Sequence, residues 1–293
     1  MQHASTFAER IERRMLEANT MVCVGIDPVL DKLPDHFDRS VESIVHMCQA
    51  IIEATHPYAA AFKPNLAFFT ALGRPGLNAL WAVRHSIPSS IPVILDCKVG
   101  DVSETARAYA HGWFNEFGFD AITVNPYLGE DAAAPFLEYG EKGVIILCKT
   151  SNTGSGDVQD LRLANGDPLY LTVADKCHEW DASYPASVGL VVGATYPEQL
   201  RSVRQRVGNQ VILLPGLGAQ DGEMKASVEA GVDANGAGLL CSSSRAIMFA
   251  SSGRDFDTAA QGVAESMRDQ INDVRASQIP QTLAQGSGGA SQP

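Results

Sequence analysis

Val93-Ile94-Leu95-Asp96-Cys97-Lys98-Val99-Gly100-Asp101-Val102-Ser103-Glu104-Thr105 decides the fold. An apolar run of strand length, opened by Pro92, gives way to residues that start a helix. Side chains alternate along a strand with period two, so Ile94, Asp96 and Lys98 share one face. Asp101 lies three residues beyond Lys98, in the turn. Two carboxylates thus bracket one ammonium at the carboxyl end of a strand. Such charges are costly there unless they satisfy one another or do chemistry. Two readings stand at this point. In one, Asp96 and Lys98 are a structural ion pair, and Asp101 with Glu104 makes a capping box whose N-cap is Asp101. In the other, the three charges belong to an active site.

The same alternation repeats on both sides. A helical pattern in residues 1–20, with Phe7, Ile11, Met15 and Leu16 as its apolar stripe, precedes strand 21–26, which stops at Asp27-Pro28. A helix at 40–55, a strand at 58–62 ending in Lys63-Pro64-Asn65, and a helix at 67–86 lead to the central strand. After it come helix 103–117, strand 121–124, helix 130–139 and strand 144–148. Thr153-Gly154-Ser155-Gly156-Asp157 is small and polar and reads as a long mobile loop. Helix 168–180, strand 188–192, a helix opened by Pro197 and strand 211–214 follow. The last strand reads as 235–240, with helices at 245–250 and 257–276. The strands are apolar runs without clean alternation, as in parallel sheets covered by helices. Eight strand–helix units predict a single-domain α/β chain, a (β/α)8 barrel over residues 1–278. Residues 279–293 are rich in Gln, Gly and Ser and are expected to be a disordered tail. A doubly wound open sheet is the alternative, but no G-x-G-x-x-G opens its first helix.

A net charge of −12 argues against nucleic acid or an anionic membrane as partner. The six cysteines show no C-x-x-C pairing and suit a reducing cytosol as buried thiols. No run approaches the length of a membrane span and no leader is recognisable, so a cytoplasmic protein is expected.

Asp27, Lys63, Asp96 and Lys98 all fall at carboxyl ends of expected strands, which in a barrel form the catalytic mouth. That alignment favours the active-site reading. After strand seven comes the glycine-rich turn Pro215-Gly216-Leu217-Gly218-Ala219-Gln220, and after strand eight comes Arg245. Barrels commonly bind phosphate there, with backbone N–H groups and a forked cation. Asn65 and Asn125 could touch substrate or cap turns; the two readings stay open.

These pieces together resemble the orotidine 5′-monophosphate decarboxylase family, in its longer bacterial subfamily marked by F-K-P-N. The matching segments are Gly25-Ile26-Asp27-Pro28, Phe62-Lys63-Pro64-Asn65, Asp96-Cys97-Lys98-Val99-Gly100-Asp101, Lys149-Thr150-Ser151-Asn152 and the turn ending at Gln220, within roughly residues 20–250. The resemblance implies a homodimeric barrel that converts orotidine 5′-monophosphate to uridine 5′-monophosphate and carbon dioxide, the last step of de novo pyrimidine synthesis. It implies no cofactor: neither metal, pyridoxal phosphate nor thiamine. It assigns Lys63, Asp96, Lys98 and Asp101 to the catalytic charge array, with Asp101 and Thr105 entering the partner's site. It gives Asp27 a ribose hydroxyl, Ser151 the pyrimidine amide edge, and Gln220 and Arg245 the phosphate, with the Gln220 turn as a lid.

Those residue types suit the reaction. Loss of carbon dioxide from C6 leaves an in-plane carbanion with no π system to absorb it, and a nearby ammonium stabilises the charge and then protonates it. Three other readings remain: a Schiff base on Lys98, a metal-dependent sugar-phosphate relative sharing D-x-K-x-x-D, and a non-catalytic phosphate-binding barrel.

Overall fold

The computed structural model describes residues 5–217 and 221–278. Eight parallel strands run in the order β2-β1-β8-β7-β6-β5-β4-β3. They are β1 (Val22–Ile26), β2 (Ala61–Pro64), β3 (Ile94–Val99), β4 (Ala121–Val124), β5 (Gly143–Lys149), β6 (Ser187–Val192), β7 (Ile212–Pro215) and β8 (Leu239–Ser243). The ring closes between β2 and β3 through the bridges Phe62↔Val93 and Asn65↔Asp96. The closing seam therefore ends at the carboxylate that the sequence singles out. This is the expected (β/α)8 barrel. Its strands are buried almost throughout, because helices cover the outer wall and side chains fill the interior.

The covering helices are α1 (Phe7–Glu17), α2 (Val41–Thr55), α3 (Leu66–Thr70), α4 (Gly73–Ser86), α5 (Ser103–His111), α6 (Glu130–Leu137), α7 (Gly156–Gln159), α8 (Leu169–Ser183), α9 (Pro197–Val207), α10 (Asp221–Gly231), α11 (Arg245–Met248) and α12 (Phe256–Gln278). Helix α1 starts at a capping box between Thr6 and Glu9 and buries Phe7, Ile11 and Met15. Leu16, expected in that stripe, is exposed. Phe7 packs where a β-carbon on Gly143 would stand, and Arg10 pairs with Asp120 at 2.7 Å. Arg14 donates to the carbonyls of Ala59 and His56. Helix α1 thus covers the amino-terminal ends of the strands and leaves the opposite rim free.

Several expected boundaries move. The segment expected to begin β2 is a 3₁₀ turn at His56–Tyr58, so the strand starts at Ala61 and Lys63 lies within it. The expected helix 67–86 is two helices, α3 and α4. Gly73, at φ +66°, takes the left-handed conformation that breaks the run. The helix expected over 103–117 is α-helical only to His111 and continues as a π-helical turn, Gly112–Glu116. The expected loop 153–157 is ordered as a 3₁₀ turn, Thr153–Ser155, followed by α7. The final strand is Leu239–Ser243, carrying Ser242 and Ser243 into the barrel wall, where both are buried. The tail at 279–293 lies outside the described residues. Among the described residues no helix is long and apolar enough to cross a membrane.

Candidate active site

Strand β3 enters the site irregularly. Its pairing with β4 is regular at Leu95↔Ile122 and resumes only at Val99↔Val124. Four steps along β3 thus match two along β4, and the surplus bulges at Cys97 and Lys98. Lys98 sits at φ +47°, in the left-handed region that a non-glycine residue seldom occupies. The bulge carries the Lys98 ammonium back onto its own strand, 2.6 Å from Asp96 Oδ1. Lys63, from the end of β2, is buried and lies 3.1 Å from Asp96 Oδ2. One carboxylate is therefore held between two ammonium groups.

Burial penalises the Asp96 charge, but Lys63 and Lys98 outweigh that penalty and hold the carboxyl at about 2. Burial likewise works against the Lys63 charge. Asp96, then Asp27, overrule it and raise the ammonium pKa above its ordinary value. Asn65 adds a donor to Asp96 Oδ2 at 3.4 Å while its carbonyl oxygen caps α3 at the Ala67 N–H. Asn125 also caps, accepting from the Tyr127 N–H. The capping reading holds for both asparagines, and Asn65 supports the charge array as well.

Asp101 does not bracket Lys98 within one chain. Its carboxylate turns back to accept from the Val102 N–H at 2.8 Å. The expected capping box is absent: Val102 is the N-cap of α5, with no side-chain bond. Thr105 is exposed one turn further along α5.

A cavity of about 720 Å³ opens at the carboxyl ends of the strands. Asp27, Lys63, Asn65 and Asp96 form one side; Pro215, Gly216 and Leu217 with the segment from Ser242 to Ala246 form the other. Its size and few convergent polar groups suit a small-molecule site. Gly216 has φ +92°, a backbone conformation that favours glycine. A β-carbon on Gly25 would collide with Ser244, so glycine lets β1 and the turn after β8 approach closely. Asp27 Oδ1 is buried with no hydrogen-bond partner among the described residues. Arg245 lies opposite, exposed at the start of α11 and without an ion pair among the described residues. Gln220 lies outside the described residues.

The structure thus brings together Asp27, Lys63, Asp96 and Arg245 around one cavity, with Lys98 joined through Asp96. Asp101, Thr105 and Ser151 do not wall it. Ser151 is exposed on the connection after β5, its backbone lying where a β-carbon on Gly193 would stand. Thr123 of β4 was missed. It is fully buried, and its hydroxyl meets Asp96 and the bulge of β3. Its only sequence signal is one hydroxyl within Ala121-Ile122-Thr123-Val124. The cysteines are five buried and one half-buried; burial pushes the Cys97 thiol up to about 12, an unreactive state.

A barrel whose mouth sets alternating charges against an arginine has the make-up of an enzyme's active site. The model of the Orotidine 5′-phosphate decarboxylase / HUMPS family matches residues 20–255, and the chain belongs to that family. The orotidine 5′-phosphate decarboxylase of Thermomicrobium roseum is 44% identical over 271 residues, 92% of this chain and 96% of the relative. That of Bordetella petrii is 43% identical over 273 residues, 92% of this chain and 100% of the relative. The solved OMP decarboxylase of Leishmania donovani superposes with a TM-score of 0.79 at 39% identity, covering 93% of this chain and 99% of that one.

Proposed function

We propose that Lys98 delivers the proton in the reaction this chain catalyses, the decarboxylation of orotidine 5′-monophosphate to uridine 5′-monophosphate and carbon dioxide, which completes de novo pyrimidine synthesis. The observation that carries this reading is the Lys63–Asp96–Lys98 array, held at 3.1 and 2.6 Å, in which Lys63 and Asp96 wall the cavity and Lys98 joins them through Asp96. The C6–carboxylate bond breaks and its electron pair stays on C6. The Lys98 ammonium stabilises that pair and gives it a proton, which solvent then restores. Asp96 faces the departing carboxylate and Lys63 balances the charge of the array. The partnerless oxygen of Asp27 accepts from a ribose hydroxyl, which supplies its missing partner. Arg245 and Gln220 hold the phosphate, and Ser151 meets the amide edge of the pyrimidine. Phosphate lies far from the bond that breaks, so its binding energy can support orientation and exclusion of water at the ring.

The working unit is a homodimer in which Asp101 and Thr105 complete the partner's site. Two features support it. Asp101 forms no ion pair with Lys98 among the described residues, and exposed Val102, Tyr109, Tyr127 and Leu128 lie at the N-cap of α5, on α5 and on the adjoining turn after β4.

The test is turnover by Lys98→Ala, followed as the fall in pyrimidine absorbance. A folded variant should still bind uridine 5′-monophosphate but lose turnover by at least about a thousandfold, since a proton donor and a local field vanish together. Turnover within tenfold of the parent would remove Lys98 from this role.

A further inference from the structure

A bulge that turns two backbone N–H groups away from the ladder must satisfy them elsewhere. Here one side chain does so. Thr123 Oγ1 accepts from the N–H of Cys97 at 3.0 Å and from the N–H of Lys98 at 2.8 Å. The same hydroxyl donates to Asp96 Oδ1 at 3.1 Å. A hydroxyl has one donor and two acceptor positions, and all three are used. Asp96 Oδ1 is also the oxygen that receives the Lys98 ammonium. One buried hydroxyl therefore fixes both ends of the Lys98 side chain: its backbone, in a left-handed conformation, and the carboxylate that holds its ammonium. Thr123 has no exposed surface and does not line the cavity, so it does not touch substrate.

We propose that Thr123 is the positioning residue of the reaction, aiming the Lys98 ammonium by clamping the β3 bulge and Asp96 together. The proposal rests on the reading of Lys98 as proton donor. Removing the hydroxyl takes the acceptor from the Cys97 and Lys98 N–H groups, and the bulge relaxes. Displacement of a reacting group by about 1 Å can cost about a hundredfold in rate without removing any group that binds the ligand. The signature is a fall in kcat with ligand affinity kept.

Thr123→Val removes the hydroxyl at nearly constant shape, Thr123→Ala removes it with less bulk, and Thr123→Ser retains it. Each is measured for kcat, KM, affinity for uridine 5′-monophosphate and thermal unfolding. The expected result is a fall in kcat of about a hundredfold in the Val and Ala variants, with KM and product affinity within about threefold of the parent, and near-parental kcat in the Ser variant. Parental kcat in folded Thr123→Val overturns the proposal. So does a Ser variant as slow as the Val variant, or product affinity that falls in step with kcat. If neither the Val nor the Ala variant folds, the hydroxyl is structural and the proposal falls. Failure of the underlying reading shows separately, as an active Lys98→Ala.

Discussion

Asp96 carries the strongest electrostatic signature in the site, and the sign of its effect on stability follows from its partners. Its carboxyl titrates at about 2 in the folded chain against an ordinary 3.8. Between those values the unfolded chain binds more protons than the folded one, so stability rises with pH across that window. The contribution is fully present above the ordinary carboxylate range and is lost as pH falls toward 2; its size is about 2 kcal/mol. Urea unfolding of the parent and of Asp96→Asn should therefore differ most near neutrality and converge by about that amount on acidification. A gap that stays constant from neutrality down to about pH 2, where the folded carboxyl takes up its proton, would show that Lys63 and Lys98 do not hold this carboxylate. At this scale the sequence was informative where charge stood in an apolar strand. Asp96, Lys98 and Lys63 are conspicuous because burying charge demands a reason. Thr123 was not, because threonine is an ordinary strand residue and one hydroxyl in four residues carries no pattern. Asp101 misled: D-x-x-E is a capping signature, yet the N-cap is Val102, one residue on, and the Asp101 carboxylate bonds to the Val102 N–H instead.

Among the elements, the connection after β5 is the one that the sequence misrepresents most. Five small polar residues look like a mobile loop, but what orders them lies outside the five. Lys149, fully buried at the end of β5, bonds to Asp160 at 2.8 Å and to Ser155 Oγ at 3.1 Å, and stands over the Tyr196 ring at 4.7 Å. Gln159 returns to Thr150, pairing with its N–H and its hydroxyl. Asp160→Ala should leave a buried ammonium without its counter-ion and lower the unfolding free energy by about 2 kcal/mol, less than a wholly buried pair because Asp160 is half-exposed. Limited proteolysis should then cut between residues 150 and 160 faster than in the parent. Unchanged stability and cleavage would show that this pair does not tie the segment down. The same scale explains the shifted strands. Ser242 and Ser243 resemble a loop in sequence but wall the cavity, where polar side chains can face a ligand. Helix 67–86 looks continuous because its apolar spacing hardly changes across the break. The break comes from Gly73, and α3 and α4 then pack so closely that a β-carbon on Gly76 would strike the Phe69 carbonyl.

For the whole molecule, the barrel was legible because repetition is robust: eight apolar runs alternating with helical patterns tolerate boundary errors of a few residues. Assembly is written less plainly, since an exposed valine or tyrosine on one helix is common on any surface. What singles out α5 is its place directly after the charge array, with Asp101 turned away from Lys98. If Asp101 serves the partner, Lys98→Ala and Asp101→Ala chains should complement each other when subunits exchange. In each heterodimer one site combines both defects. The other takes Lys98 from the Asp101→Ala chain and Asp101 from the Lys98→Ala chain, and is intact. A two-fold axis makes this reciprocity unavoidable. Random exchange gives half heterodimers with one good site of two, so roughly a quarter of parental activity should return from two inactive proteins. Each protein incubated alone should stay inactive. If Asp101 instead serves its own chain, every site in the mixture keeps at least one defect, and subunit exchange demonstrated without recovered turnover would defeat the shared site.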